Sequence, residues 1–151
     1  MPDHEWDEML AAAASEVLET MFFTSIYGPA LPGEAAGGPR VAARLDFVGT
    51  PSGALTLSIA QPAAGALAAN FLGAEENEPL QDTQLASVVC ELANMICGSL
   101  LSRVKTEEHF RLSSPEPVRA DTGCPPGLPS QSLDLGDGTI DLWLSWETHA
   151  N

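Results

Sequence analysis

The sequence predicts an α+β fold, an antiparallel sheet with two long helices packed on it. Three observations carry that prediction. Helical periodicity occupies two long stretches, strictly alternating segments occur in pairs around tight turns, and the order helix–strand–strand occurs twice. At 151 residues the chain is the length of a single domain with one core, taken here as residues 1–151.

The first helix is predicted from about Asp3 to Ile26. Met9, Leu10, Val17, Leu18, Met21 and Phe22 recur at helical spacing, and Gly28-Pro29 reads as the stop. Leu31 to Arg40, rich in Gly, Pro and Ala, reads as a loop. In the next segment Val41, Ala43, Leu45 and Phe47 alternate with polar neighbours, and Leu55, Leu57 and Ile59 do so after the turn Gly49–Gly53. This is a hairpin with one buried face. A short helix over Pro62 to Leu72 and an acidic loop with Glu75, Glu76 and Glu78 follow. A long helix is predicted over about Gln81 to Val104, then a strand near His109 to Leu112 and a Gly/Pro-rich loop to Ser130. Leu133 and Leu135 precede the turn Asp137-Gly138, and Ile140, Leu142, Leu144 and Trp146 alternate after it, which makes a second hairpin.

Twenty-one acidic against six basic residues leave a net charge of −15. Nucleic acid and anionic membrane attract proteins through Lys and Arg, so neither is an expected partner. A phosphorylated ligand would have to bring its own cations. No apolar stretch reads as long enough to cross a bilayer, and the acidic start Asp3-His4-Glu5-Trp6-Asp7-Glu8 is unlike a secretory signal. A cytoplasmic location is the expectation. The odd set Cys90, Cys97 and Cys124 reads as reduced thiols.

On a wheel of 100° per residue, Leu85, Val89, Cys90, Leu92, Ala93, Ile96, Cys97 and Leu100 fill one broad side of the long helix. Gln84, Ser87, Glu91, Asn94, Gly98 and Ser102 gather on the other within roughly 80°. Asn inside a helix costs about 0.6 kcal/mol relative to Ala, and Gly about 1 kcal/mol. Gly98 also removes a side chain where another surface would approach. A solvated face would carry strong helix formers instead, so the stripe reads as a docking surface. Three residues apart, Glu91 and Asn94 stand about 5–6 Å from each other at their bases. A carboxamide both donates and accepts, so Asn94 is suited to holding a water against a phosphorus atom. Phosphoryl transfer rewards such positioning, because its loose transition state asks little covalent help.

Ser87, three residues, Glu91, two residues, Asn94, twenty-two residues, Pro117 is also the signature that the CheC/CheX/FliY family of chemotaxis phosphatases carries, with Asp or Ser at its first position. The chain resembles that family, and Glu91-Leu92-Ala93-Asn94-Met95-Ile96-Cys97-Gly98 is similar to its active helix. The resemblance implies a CheC/CheX-like pseudo-twofold domain that hydrolyses the aspartyl-phosphate of a CheY-like response regulator. By position, Asn94 would orient the hydrolytic water and Glu91 would pair with the regulator's lysine. Ser87 and Gly98 would belong to the contact surface, and Pro117 would shape the segment after the strand. No cofactor of the chain's own is implied; Mg²⁺ would sit on the phosphorylated partner. In the first helix Ser15, Glu19 and Phe22 repeat the spacing, but a phenyl ring replaces the amide. One working copy is more like CheX than like the two-site branch, and CheX-type relatives imply a homodimer.

The alternative is a catalytically silent adaptor of the same fold that binds response regulators, as in a flagellar switch. His4, His109 and His149 are too scattered for a metal site. Cys90 and Cys97 face the predicted core and Cys124 has no evident base, which argues against a nucleophilic cysteine. No Gly-rich phosphate loop and no phosphocysteine signature is recognised.

Overall fold

The computed structural model describes residues 3–29, 39–49, 52–73, 81–104, 109–119 and 128–146. Among these residues three helices, α1 (Asp3–Met21), α2 (Gln61–Leu72) and α3 (Asp82–Ser102), lie on a seven-stranded sheet. Its strands are β1 (Gly28–Pro29), β2 (Arg40–Val48), β3 (Gly53–Ala60), β4 (Arg111–Leu112), β5 (Glu116–Val118), β6 (Ser130–Asp134) and β7 (Thr139–Trp146). All pairings are antiparallel, in the order β1-β6-β7-β3-β2-β4, with β5 pairing β2 as well. This is the predicted α+β architecture.

Alternation along the two hairpins decides which face the helices cover. Ala43 lies opposite Leu57 and Leu45 opposite Leu55; Leu57 and Leu55 in turn lie opposite Leu142 and Leu144. These residues are buried in one apolar cluster with Leu10, Leu18, Leu92, Ile96 and Leu100 of the helices. The polar positions of the same strands form the other face. There Arg40 donates to the Ser58 hydroxyl and carbonyl at 2.8 Å each and pairs with Asp141 at 3.3 Å. Asp141 accepts from Ser132 at 2.7 Å, so one network joins β2, β3, β7 and β6.

Helix α1 ends earlier than the sequence suggests. Phe23 takes φ of 51°, the left-handed conformation that closes a helix, and the Thr24 amide donates to the Leu18 carbonyl at 2.9 Å. Gly28-Pro29, read as the stop, is strand β1 against β6. Phe22 is buried and stacks on Phe71 of α2 with ring centroids 4.7 Å apart, which ties the two helix ends together. Strand β5 is a second departure, since the sequence shows no strand there. The acidic loop with Glu75, Glu76 and Glu78, most of Leu31 to Arg40, and Cys124 lie outside the described residues.

One expectation about α3 needs correction. Its 21 residues hold an 18-residue window of mean hydropathy 1.6, long and apolar enough to span a bilayer by length and composition. Half of that window is buried inside the protein, as in the core helix of a globular domain.

Phe23 leaves 72% of its surface exposed, so the left-handed strain is not offset by packing. A non-glycine residue there costs roughly 1–2 kcal/mol, less what glycine loses in entropy. Phe23→Gly should raise stability by about 1 kcal/mol, read as a higher urea midpoint at unchanged m.

Candidate functional site

Helix α3 owes its position to its apolar side. Leu85, Val88, Val89, Leu92, Ala93, Ile96, Cys97, Leu100 and Leu101 are all buried, packed along β2 and against α1 and α2. At roughly 1.5 kcal/mol or more for each large side chain, their burial is worth on the order of 10 kcal/mol gross. That far exceeds the helix propensity lost at Asn94 and Gly98. The start is held by Gln81, whose backbone amide donates to the Gln84 side chain at 2.9 Å.

The opposite side is the stripe seen in the sequence. Gln84, Ser87, Glu91, Gly98 and Ser102 are exposed and Asn94 is half-buried. Among the described residues, the Glu91 carboxylate and the Asn94 amide make no hydrogen bond or ion pair with the rest of the protein. A Cβ built on Gly98 meets no atom within 4 Å, so the helix is bare there. Neither the cavity between the ends of β2, β3 and β7 nor the groove at the first turns of α3 is lined by Glu91 or Asn94. The pair stands on the outward side of the helix.

Pro117 is remote from the ridge in sequence and lies on β5, opposite Ala43 of β2. Ala43 faces the helix layer, and Pro117 with Val118 walls a groove of about 370 Å³ beside Asp82 and Leu85 in the first turns of α3. A proline donates no backbone hydrogen bond, which suits an edge strand. In α1, Ser15 is half-buried, Glu19 is exposed and Phe22 lies in the core, so a buried ring stands where α3 has its amide.

The sequence reading overlooked one signature. Cys97 and Arg103 stand in the Cys-x5-Arg spacing of phosphocysteine phosphatases. Both belong to α3 and its cap rather than to a phosphate-cradling loop, and Arg103 is paired with Glu16 of α1. Burial pushes the Cys97 thiol up to about 12, so it carries no nucleophilic thiolate. Cys90 is half-buried at the margin of the ridge rather than fully in the core; burial, then the nearby Glu116 carboxylate, raises its thiol too. Among the described residues no cluster of His, Cys, Asp and Glu has the makings of a metal site.

Residues 41–124, more than half of the chain, match the family described as chemotaxis phosphatase CheX. The chain belongs to the CheX family. The matched span holds all four signature residues, Ser87, Glu91, Asn94 and Pro117. No curated protein matches the sequence. Among solved structures, the chemotaxis protein CheX from Vibrio vulnificus is 17% identical with a TM-score of 0.75, over 97% of this chain and 99% of that one. CheX in the CheX–CheY–BeF3–Mg²⁺ complex from Borrelia burgdorferi is 19% identical with a TM-score of 0.72, over 93% and 97%. FliY from Thermotoga maritima is 15% identical with a TM-score of 0.59, over 93% and 86%. At these identities the likeness is one of fold.

The buried thiol has a measurable consequence. An unfolded chain loses the Cys97 proton near 9.0, whereas the folded protein keeps it to about 12. Its contribution is therefore intact below about pH 9 and falls as pH rises toward 12. From about pH 8 to pH 10, wild type should lose about 1.4 kcal/mol more stability than Cys97→Ala, compared by urea unfolding.

Proposed function

We propose that this CheX-family chain is a phosphatase that hydrolyses the aspartyl-phosphate of a CheY-like response regulator. The observation that carries the reading is the Glu91–Asn94 pair on the exposed ridge of α3, unengaged by the described residues of its own protein. Family membership and the solved complex of a relative with CheY support the choice of partner.

In this reading α3 enters the receiver's phosphorylation cleft. Glu91 pairs with a receiver lysine and sets the register, a charge-assisted contact worth more than a neutral hydrogen bond. Asn94 holds a water by its carboxamide, with a lone pair aimed at phosphorus. The water attacks, the bond between phosphorus and the aspartyl oxygen breaks, the aspartate leaves as a carboxylate, and inorganic phosphate departs with the water's protons. The receiver contributes Mg²⁺ and the cationic clamp that steady the phosphoryl charge. The chain needs no cofactor of its own, consistent with a charge of −15 that is poorly suited to holding phosphate. Ser87 and Gly98 form the contact surface, and Pro117 fixes the flank of the helix. The active form is a cytoplasmic homodimer, an expectation carried from CheX-type relatives, with no nucleic acid or membrane partner.

Decay of a CheY-type receiver charged with acetyl phosphate and Mg²⁺ tests the reading. Wild type should shorten its lifetime. Asn94→Ala should slow catalysed decay on the order of 100-fold while binding persists, whereas Glu91→Ala should raise KM about tenfold or more. A wild type that binds the charged receiver and leaves its lifetime unchanged would establish the silent adaptor of the same fold instead.

Gly98 separates docking from folding. Space around it is open, so Gly98→Arg should fold with stability equal to or about 1 kcal/mol above wild type. Its bulk on the ridge should nevertheless abolish measurable receiver dephosphorylation.

A further inference from the structure

One large apolar side chain of α3, Met95, is not buried. It packs against the core cluster yet stays half-buried, beside the Glu91–Asn94 pair. Met95 follows Glu91 by four residues, one turn on and about 40° around the helix, with its base about 5–6 Å from that of Glu91. Asn94 lies about 60° around the helix the other way, so Glu91 stands between the two. Ser99 and Arg103 continue the row of Met95 at four-residue steps, and Arg103 pairs with Glu16 of α1. Met95 therefore borders the pair on the flank where α1 packs.

Gly98 leaves Met95 uncovered. Helical side chains lean toward the N-terminus, so a side chain at position 98 would lie over positions 94 and 95. Glycine opens the Asn94 amide and Met95 together, and a Cβ there would meet no atom within 4 Å. An alanine would fit and would favour the helix, so the fold itself gains nothing from the glycine. An open amide is served by water or by a polar partner. A half-uncovered methionine gains only when another apolar surface covers it. Both openings face the same turn of the helix, where one docked surface would meet them.

We propose that Met95 is the apolar anchor of the docking surface, packing on the receiver at the lip of its phosphorylation cleft and keeping water from the pair that Glu91 makes with a receiver lysine. The proposal rests on the phosphatase reading above and adds a contact that neither the carboxylate nor the amide supplies. An ion pair at a wet surface is worth little, and the same pair gains when its surroundings are dry. An unbranched thioether adapts to an irregular surface with little strain. Met95 thus acts on docking, through Glu91, whereas Asn94 acts on turnover.

The experiment is a kinetic series on a phosphorylated CheY-type receiver. It compares wild type, Met95→Leu, Met95→Gln, Glu91→Ala, the double variant Met95→Gln/Glu91→Ala, and Asn94→Ala. Met95→Gln, close to methionine in length and helix propensity, should raise KM about five- to tenfold with kcat unchanged. Met95→Leu keeps the apolar volume and should stay within about twofold of wild type. Glu91→Ala should raise KM by about tenfold in wild type but only about threefold in the Met95→Gln background, because the pair it removes is already wet. A methionine that only supports the fold behaves otherwise: partly unfolded enzyme lowers apparent kcat at constant KM, and the two substitutions multiply. A KM for Met95→Gln within about twofold of wild type, a fall in kcat alone, or an equal Glu91→Ala factor in both backgrounds overturns the proposal. Should that happen while Asn94→Ala still loses turnover, the phosphatase reading stands and only the role of Met95 falls. If wild type neither binds nor dephosphorylates the receiver, both fall together.

Discussion

The burial of one side of α3 against the sheet is the constraint from which the remaining features follow. A helix of 21 residues that hides nine side chains has its rotation fixed, because turning it would expose Leu92, Ile96 and Leu100 to water. Fixing the rotation fixes what faces outward. The Glu91 and Asn94 side chains stand on the exposed ridge because their neighbours on the wheel cannot leave the core. The same packing gives the helix enough stability to carry an asparagine and a glycine in its interior, two residues that an isolated helix of this length would tolerate poorly.

Much of this was legible in the sequence, for a physical reason. Alternation with period two and apolar recurrence near 3.6 both report burial, and burial decides the large elements. Both hairpins and α3 therefore lie within a few residues of where periodicity puts them. The misses occur where burial is not the deciding force. Phe23 ends α1 through backbone conformation, and a phenylalanine in the left-handed region carries no sequence signal that separates it from the apolar run before it. Strand β5 has three residues, one of them Pro117, and its exposed edge shows no alternation. Only a partner strand, β2, makes it a strand at all.

Two signatures that involve α3 point to different chemistries, and burial distinguishes them. Ser87, Glu91 and Asn94 lie on the open ridge, whereas the Cys97 of the Cys-x5-Arg pair is sealed in the core with its thiol held protonated. A spacing states only which residues share a helix face. Whether that face meets solvent or the sheet depends on the apolar side chains between the signature residues, so the flanking Leu92, Ala93 and Ile96 carry as much information about the site as the signature itself.

An exposed helix face is an unusual place for the proposed hydrolysis, and charge explains why it is workable. An enclosed phosphate site would need several cations close together, and a chain with six basic residues and twenty-one acidic ones is poorly supplied. Among the described residues, Arg40 is drawn into the Ser58–Asp141 network, Arg44 into Asp46 and Arg103 into Glu16. A receiver that brings its own Mg²⁺ and lysine removes that requirement and leaves this chain only to supply an oriented water and a register. An amide and a carboxylate on a rigid helix suffice for both, and a negative surface around them favours a cleft lined with cations over free anions in solution. In the proposed reaction the acidity of the chain is thus a condition for choosing the partner, since a surface with a net charge of −15 repels free phosphate.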